Sequence, residues 1–222
     1  MSSEPAQQPQ PQPQKVLIIG GTGRFGPDLI REALKNGHQV RATTRDLKKA
    51  KQYEEGNVEW QQCDALEHEC MTKAMSGRDA VISSIGPKGL GKTTTYSESM
   101  KMILRTMEEN RVRRLLCVSS EWDSKAISGF TKRALLLFLG NIKADMLRME
   151  DVVAGADTSK INWTCVRTFR HKKDPGTGNY RVGPSDLTPI FKPETRYQDL
   201  AHFLVKEMVE KKWSNSFVTI GY

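Results

Sequence analysis

KVLIIGGTGRFG, residues Lys15 to Gly26, is the stretch on which the fold turns. Val16 to Gly20 is a short apolar run ending in glycine, the pattern of a buried parallel strand that feeds a tight turn. Gly21, Gly23 and Gly26 follow at G-x-G-x-x-G spacing. The glycines let the chain turn sharply off the strand, let backbone N–H groups approach a diphosphate, and let a helix pack close to the sheet. Pro27 to Asn36 is amphipathic and stops at Gly37, so a helix opens on the turn with its positive end toward it. A glycine motif that closes a strand and opens a helix implies a dinucleotide whose phosphates sit on the turn.

Outward from that unit, strands alternate with helices. Strands are expected at His38 to Thr43, Val58 to Gln62, Ala80 to Ile85, Leu115 to Ser119, Trp163 to Val166 and Phe217 to Ile220. Helices are expected at Asp46 to Tyr53, Glu67 to Met75, Thr95 to Asn110, Lys132 to Val153 and Gln198 to Lys211. Arg167 to Thr195 is rich in Gly, Pro and charge and reads as a long loop region. The alternation implies an α/β fold, a doubly wound parallel sheet of the Rossmann type, in a single domain over residues 15–222. Residues 1–14, MSSEPAQQPQPQPQ, form a Pro/Gln tail that cannot bury a core and is expected to be disordered.

The end of the second strand reads Thr43-Thr44-Arg45. Sites for NAD place an acidic residue there to hold the ribose hydroxyls. Arg45 instead offers a planar fork of donors to a 2′-phosphate, and Lys48 and Lys49 add charge one turn later. Asp46, one step beyond, is placed to cap the following helix. The cofactor expected is therefore NADP(H).

The chain has 222 residues and a formal net charge of +8. Its basic residues are scattered and not interleaved with aromatics, so an anionic small molecule is expected rather than nucleic acid. No apolar run has the length of a membrane span, and the first residues lack the apolar stretch of a signal peptide. A cytosolic monomer is the expectation. Of the four cysteines, Cys117 and Cys165 lie in apolar runs, Cys63 and Cys70 make no CxxC pair, and disulfides are not expected. No zinc spacing exists, and His68-Glu69-Cys70 reads as helix surface.

A second motif competes. Gly86-Pro87-Lys88-Gly89-Leu90-Gly91-Lys92-Thr93 fits G-x-x-x-x-G-K-[ST], the phosphate loop of NTPases. Against that reading, the sheet already carries a dinucleotide turn, the fifth strand ends in Ser119-Ser120 where a magnesium-holding Asp would be needed, and Pro87 removes an N–H. The loop is expected to flank the nicotinamide end of the cofactor.

KVLIIGGTGRFG, the strand-end TTRD, CDALE, DAVISSIG, LLCVSS and YQDLAHFLV together resemble atypical short-chain dehydrogenases with the NmrA-like fold, nearest to their flavin- and biliverdin-reducing branch. The resemblance runs from Lys15 to Tyr222. It implies that Gly20, Thr22, Gly23, Arg24, Phe25 and Gly26 surround the diphosphate and that Arg45, Lys48 and Lys49 lie near the 2′-phosphate. It implies Asp64 and Ala65 against adenine, Ile85 and Gly86 along the ribose, and Ser119, Ser120 and Thr168 toward the nicotinamide. Ser120 is the catalytic candidate, and Asp199 and His202 read as structural. The sequence departs from the pattern twice. Lys143 stands where the Tyr-x-x-x-Lys lysine belongs, but Leu139 replaces the tyrosine that acts as acid. After the sixth strand, Arg170 occupies the position of the reductases' histidine and His171 follows it, so both are candidates for binding an anionic substrate. Two functions follow: reduction of a flavin, bilin or quinone by NADPH, or non-catalytic sensing of NADP(H).

Overall fold

In a computed structural model, the structure describes residues 12–53, 56–86, 89, 91–121, 129–168, 170–184 and 194–222, without the side chains of 129–138. The elements run β1 (Lys15–Ile19), α1 (Gly26–Lys35), β2 (Gln39–Thr44), α2 (Leu47–Ala50), β3 (Val58–Gln62), α3 (His68–Met75), β4 (Ala80–Ser83), α4 (Thr95–Glu109), β5 (Arg114–Ser120), α5 (Gly129–Ala154), β6 (Asn162–Thr168), β7 (Arg170–Lys172), β8 (Arg181–Pro184), β9 (Glu194–Arg196), α6 (Tyr197–Glu210) and β10 (Ser216–Gly221).

The main sheet has the order β3-β2-β1-β4-β5-β6-β10-β8, parallel except for β8, which pairs antiparallel with β10. The central strands are apolar along their length because both faces are covered: β1 is buried from Val16 to Ile19 and β4 from Ala80 to Ser83. On one face Val16, Ile18 and Ile82 pack with α1 and α6 through Leu29, Leu200 and Leu204. On the other, Leu17, Ile19 and Val81 pack with α3, α4 and α5 through Met71, Ile103 and Met149. The strand order reverses direction between β1 and β4, and such a switch point opens a crevice at the carboxyl ends of the strands.

Four sequence expectations change. The helix expected at Asp46 to Tyr53 forms only over Leu47–Ala50, although Asp46 caps it as expected by accepting the Lys48 N–H at 2.9 Å. Arg167 to Thr195 is not one loop. β6 continues to Thr168, β7 and β9 pair in a small parallel sheet, and β8 covers the edge of β10. These strands are three and four residues long, so pairing partners far away in sequence rather than local pattern create them. Cys63 and Cys70 form a disulfide, with Cα atoms 5.5 Å apart. Compartment and motif gave no hint of it, because the pairing depends on α3 folding its first turn back over the end of β3. Finally, order begins within the expected tail: the Gln14 N–H donates to His38 Nδ1 at 3.1 Å, and its carbonyl accepts the Gln39 N–H. Residues 1–11 lie outside the described residues.

Candidate functional site

The glycine turn is fixed by contacts that only its own residues permit. Gly20 has φ of +87°, a left-handed conformation that side chains resist. The Gly21 N–H donates to the Thr43 carbonyl at 2.9 Å, and the Thr22 and Thr44 hydroxyls are 2.8 Å apart, so the turn is tied to the end of β2. The N–H groups of Thr22, Arg24 and Phe25 have no partner among the described residues, and α1 begins without a side-chain cap. Unsatisfied donors at a helix start are what a diphosphate requires.

Beside this turn lies a cleft of about 180 Å³. Its walls combine the turn (Gly20, Thr22, Gly23), the end of β2 (Thr43 to Asp46, with Lys49), the start of the β3–α3 connection (Cys63, Asp64, Ala65), the end of β4 (Ser84, Ile85, Gly86) and α4 (Thr95, Ser99). Arg45, Lys48 and Lys49 are exposed, and the Arg45 guanidinium has no ionic partner among the described residues. Asp46 Oδ1 caps α2 by accepting the Lys48 N–H, and the residue sits on the cleft wall one step beyond Arg45. The Asp64 carboxylate accepts the Leu66 N–H at 3.1 Å, which orients the turn.

Sequence reading missed Thr95, Ser99, Ser84 and Cys63 as lining residues. The Ser99 hydroxyl is buried, lines the cleft and has no hydrogen-bond partner among the described residues. The one signal available was a serine on the apolar face of the expected helix, beside Met100 and Ile103.

Of the other candidates, Arg24, Phe25, Gly26, Lys48, Ser119, Ser120 and Thr168 stand off the cleft wall. The Phe25 ring is buried and stacks on Tyr197 at 5.8 Å, so only its backbone remains for a ligand. Ser119 is fully buried with an unpartnered hydroxyl, while the Ser120 hydroxyl bonds nothing among the described residues. The Thr168 hydroxyl donates to the Ser119 carbonyl at 3.1 Å and lies 2.8 Å from His171 Nε2. A hydroxyl has one proton to give, so His171 Nε2 carries its own proton and donates to Thr168. The His171 ring stacks on Tyr197 at 5.2 Å, and the desolvation there lowers its pKa from the usual 6.5, although the residue keeps an exposed edge.

The basic segment after β6 is divided in its roles. Arg167, at the start of that segment, grips Glu150 at 3.0 and 2.6 Å and lies 4.4 Å over the Phe217 ring. Lys172 pairs with Glu194 at 2.6 Å. Arg170 and Lys173 remain exposed. Asp199 accepts the Thr177 and Gly178 N–H groups and the Tyr222 hydroxyl, and His202 bonds Tyr180 at 2.6 Å; both hold the 174–180 segment and the C-terminus.

The competing phosphate loop is closed by a different carboxylate. Asp145 of α5 is buried and accepts the Tyr96 and Ser97 N–H groups at 2.9 and 3.3 Å and the Ser97 hydroxyl at 2.6 Å. A phosphate at the start of α4 would displace a carboxylate that already satisfies those donors. Pro87, Lys88 and Leu90 lie outside the described residues, but Gly86 lines the dinucleotide cleft.

The family model described as NAD(P)H-binding matches residues 20–211. The chain belongs to that NAD(P)H-binding family. An uncharacterised chloroplastic protein of Arabidopsis thaliana is 27% identical over 215 residues, covering 93% of this chain and 76% of the relative. A phenylcoumaran benzylic ether reductase of Nicotiana tabacum is 31% identical over 108 residues, 45% of this chain, and the match spans only 33% of that enzyme. Among solved structures, a candidate NADH-flavin reductase from Streptococcus pneumoniae superimposes with a TM-score of 0.73 at 20% identity, covering 94% of this chain and 99% of the other. The shared fold is the Rossmann-type α/β sheet described above. Among the described residues no helix is long and apolar enough to cross a membrane.

Proposed function

We propose that the protein is an NADPH-dependent reductase of a planar, delocalised acceptor, a flavin, bilin or quinone, acting in the manner of biliverdin reductase B. The observation that carries the reading is the cleft wall in which the glycine turn meets Arg45 and Lys49 at the end of β2. The residues fit the cofactor: a crowded glycine turn with open N–H groups for the diphosphate, cations for the 2′-phosphate, and the unpartnered Ser99 hydroxyl in the wall. When bound, NADPH supplies a hydride from its nicotinamide ring.

The protein's own groups then position rather than protonate. Leu139 stands where a tyrosine acid would act. His171 Nε2 is engaged with the Thr168 hydroxyl at 2.8 Å, and desolvation lowers the ring's pKa, which disfavours its charged, proton-giving form. A site without a strong acid suits acceptors that delocalise the incoming charge and take a proton from water; ketones do not. Exposed Arg170 offers a contact to a propionate or phosphate on such an acceptor. The tobacco reductase, whose match covers 45% of this chain, supports redox use of this fold.

The test follows NADPH absorbance with FMN, biliverdin, a quinone and a simple ketone. Consumption with at least one of the first three and none with the ketone is expected. Arg170→Ala should raise KM more than it lowers kcat, the mark of lost uniform binding. Tight NADPH binding with no consumption by any flavin, bilin or quinone would overturn the reading and leave a non-catalytic NADP(H) sensor.

A further inference from the structure

We propose that the Cys63–Cys70 disulfide is a thiol–disulfide exchange site that sets the affinity of the cleft for NADP(H), its substrate being a dithiol reductant. The inference rests on the cofactor reading above. Cys63 lines the cleft, and the two residues that follow it, Asp64 and Ala65, form the adjoining wall. The disulfide joins the end of β3 to the first turn of α3 across a separation of seven residues, so it closes a small ring around that wall. Within the ring the backbone is held lightly: the Glu67 N–H donates to the Asp64 carbonyl at 3.0 Å, and the Leu66 N–H donates to the Asp64 carboxylate at 3.1 Å. The Cys63 N–H donates to the Thr44 carbonyl at 2.8 Å, which couples the ring to the residue preceding Arg45. Cross-linking stiffens a segment that a ligand would otherwise have to order on binding.

The chemistry is a two-electron exchange. A dithiol attacks the sulfur of Cys70, which is half-buried, rather than that of Cys63, which is 6% exposed. The S–S bond breaks and Cys63 leaves as a thiolate that takes a proton. The second thiol of the reductant then displaces Cys70, which is also protonated, and the reductant departs as its own disulfide. Cys117 and Cys165 are fully buried and take no part. Because coupling is reciprocal, bound cofactor makes the disulfide harder to reduce by the same factor that oxidation tightens cofactor binding.

The experiment titrates NADPH by calorimetry into protein that is air-oxidised, dithiothreitol-reduced, or carries Cys70→Ser, with alkylation mapping to record which thiols are free. Oxidised protein should bind NADPH about fivefold or more tightly than reduced protein. Cys70→Ser should match the reduced protein and ignore dithiothreitol, and saturating NADP⁺ should shift the reduction midpoint by the ratio of NADP⁺ affinities measured for the oxidised and reduced protein. Equal affinity of the oxidised and reduced wild type, or Cys63 and Cys70 free in air-oxidised protein, overturns the proposal while leaving the cofactor reading intact. Absence of NADPH binding in every state overturns the cofactor reading itself. The wild-type comparison stands even where the Cys70 variant folds poorly.

Discussion

A Cβ at Gly26 would lie 2.3 Å from the Gly21 carbonyl oxygen and 2.5 Å from its carbonyl carbon. Both are backbone atoms, so no side chain can swing aside to make room. The third glycine of the motif is therefore set by close packing of α1 on the turn, not by conformational freedom. Gly26→Ala is expected to lower stability by about 2–3 kcal/mol and to weaken NADPH binding together with it, since the same shift misplaces the N–H groups. Urea unfolding and titration on one preparation check this; a variant with unchanged midpoint and affinity would refute it. Arg167 teaches the opposite lesson. Its charge looked available in the sequence, yet Glu150, 17 positions earlier, takes both ends of its guanidinium.

At the scale of elements, two helix starts carry the functional contrast. α1 opens without a side-chain cap, beside a wall of cations. α4 opens on Asp145 borrowed from α5. The same backbone polarity is left for a ligand in one case and neutralised in the other, which argues against nucleotide hydrolysis at the motif around Lys92 that matches letter for letter. Asp145→Ala should cost about 1–2 kcal/mol, as loss of a helix cap does, and leave NADPH affinity within a few fold. The readouts are thermal unfolding and NADPH titration, with magnesium-dependent ATP turnover assayed beside them. Hydrolysis above background that Lys92→Ala abolishes would restore the phosphate-loop reading.

For the whole molecule, sheet order converts local motifs into a site. β2 lies beside β1, and β4 beside β1 on its other edge, so the glycine turn, Arg45 and the Ile85-Gly86 end converge although 65 residues separate Gly20 from Ile85. That much was legible, because apolar strands, glycine spacing and the basic strand end obey local rules. The cysteine bridge was not, because it depends on where α3 begins. The short strands β7 to β9 were not, because β7 and β9 find each other across more than 20 residues and β8 pairs with β10, both contacts distant in sequence. Ser99 was not, because a buried serine on a helix face carries no signal until the cleft beside it is seen.

Calorimetric titration of the wild type and Arg45→Ala with NADPH and NADH tests most directly whether this cleft holds a phosphorylated dinucleotide through Arg45. The wild type should bind NADPH at least tenfold more tightly than NADH. A charge-assisted phosphate contact is worth about 1.5–3 kcal/mol, so Arg45→Ala should weaken NADPH about tenfold or more and hardly alter NADH. Equal binding of both cofactors by the wild type, or equal losses for both in the variant, would contradict that role of Arg45.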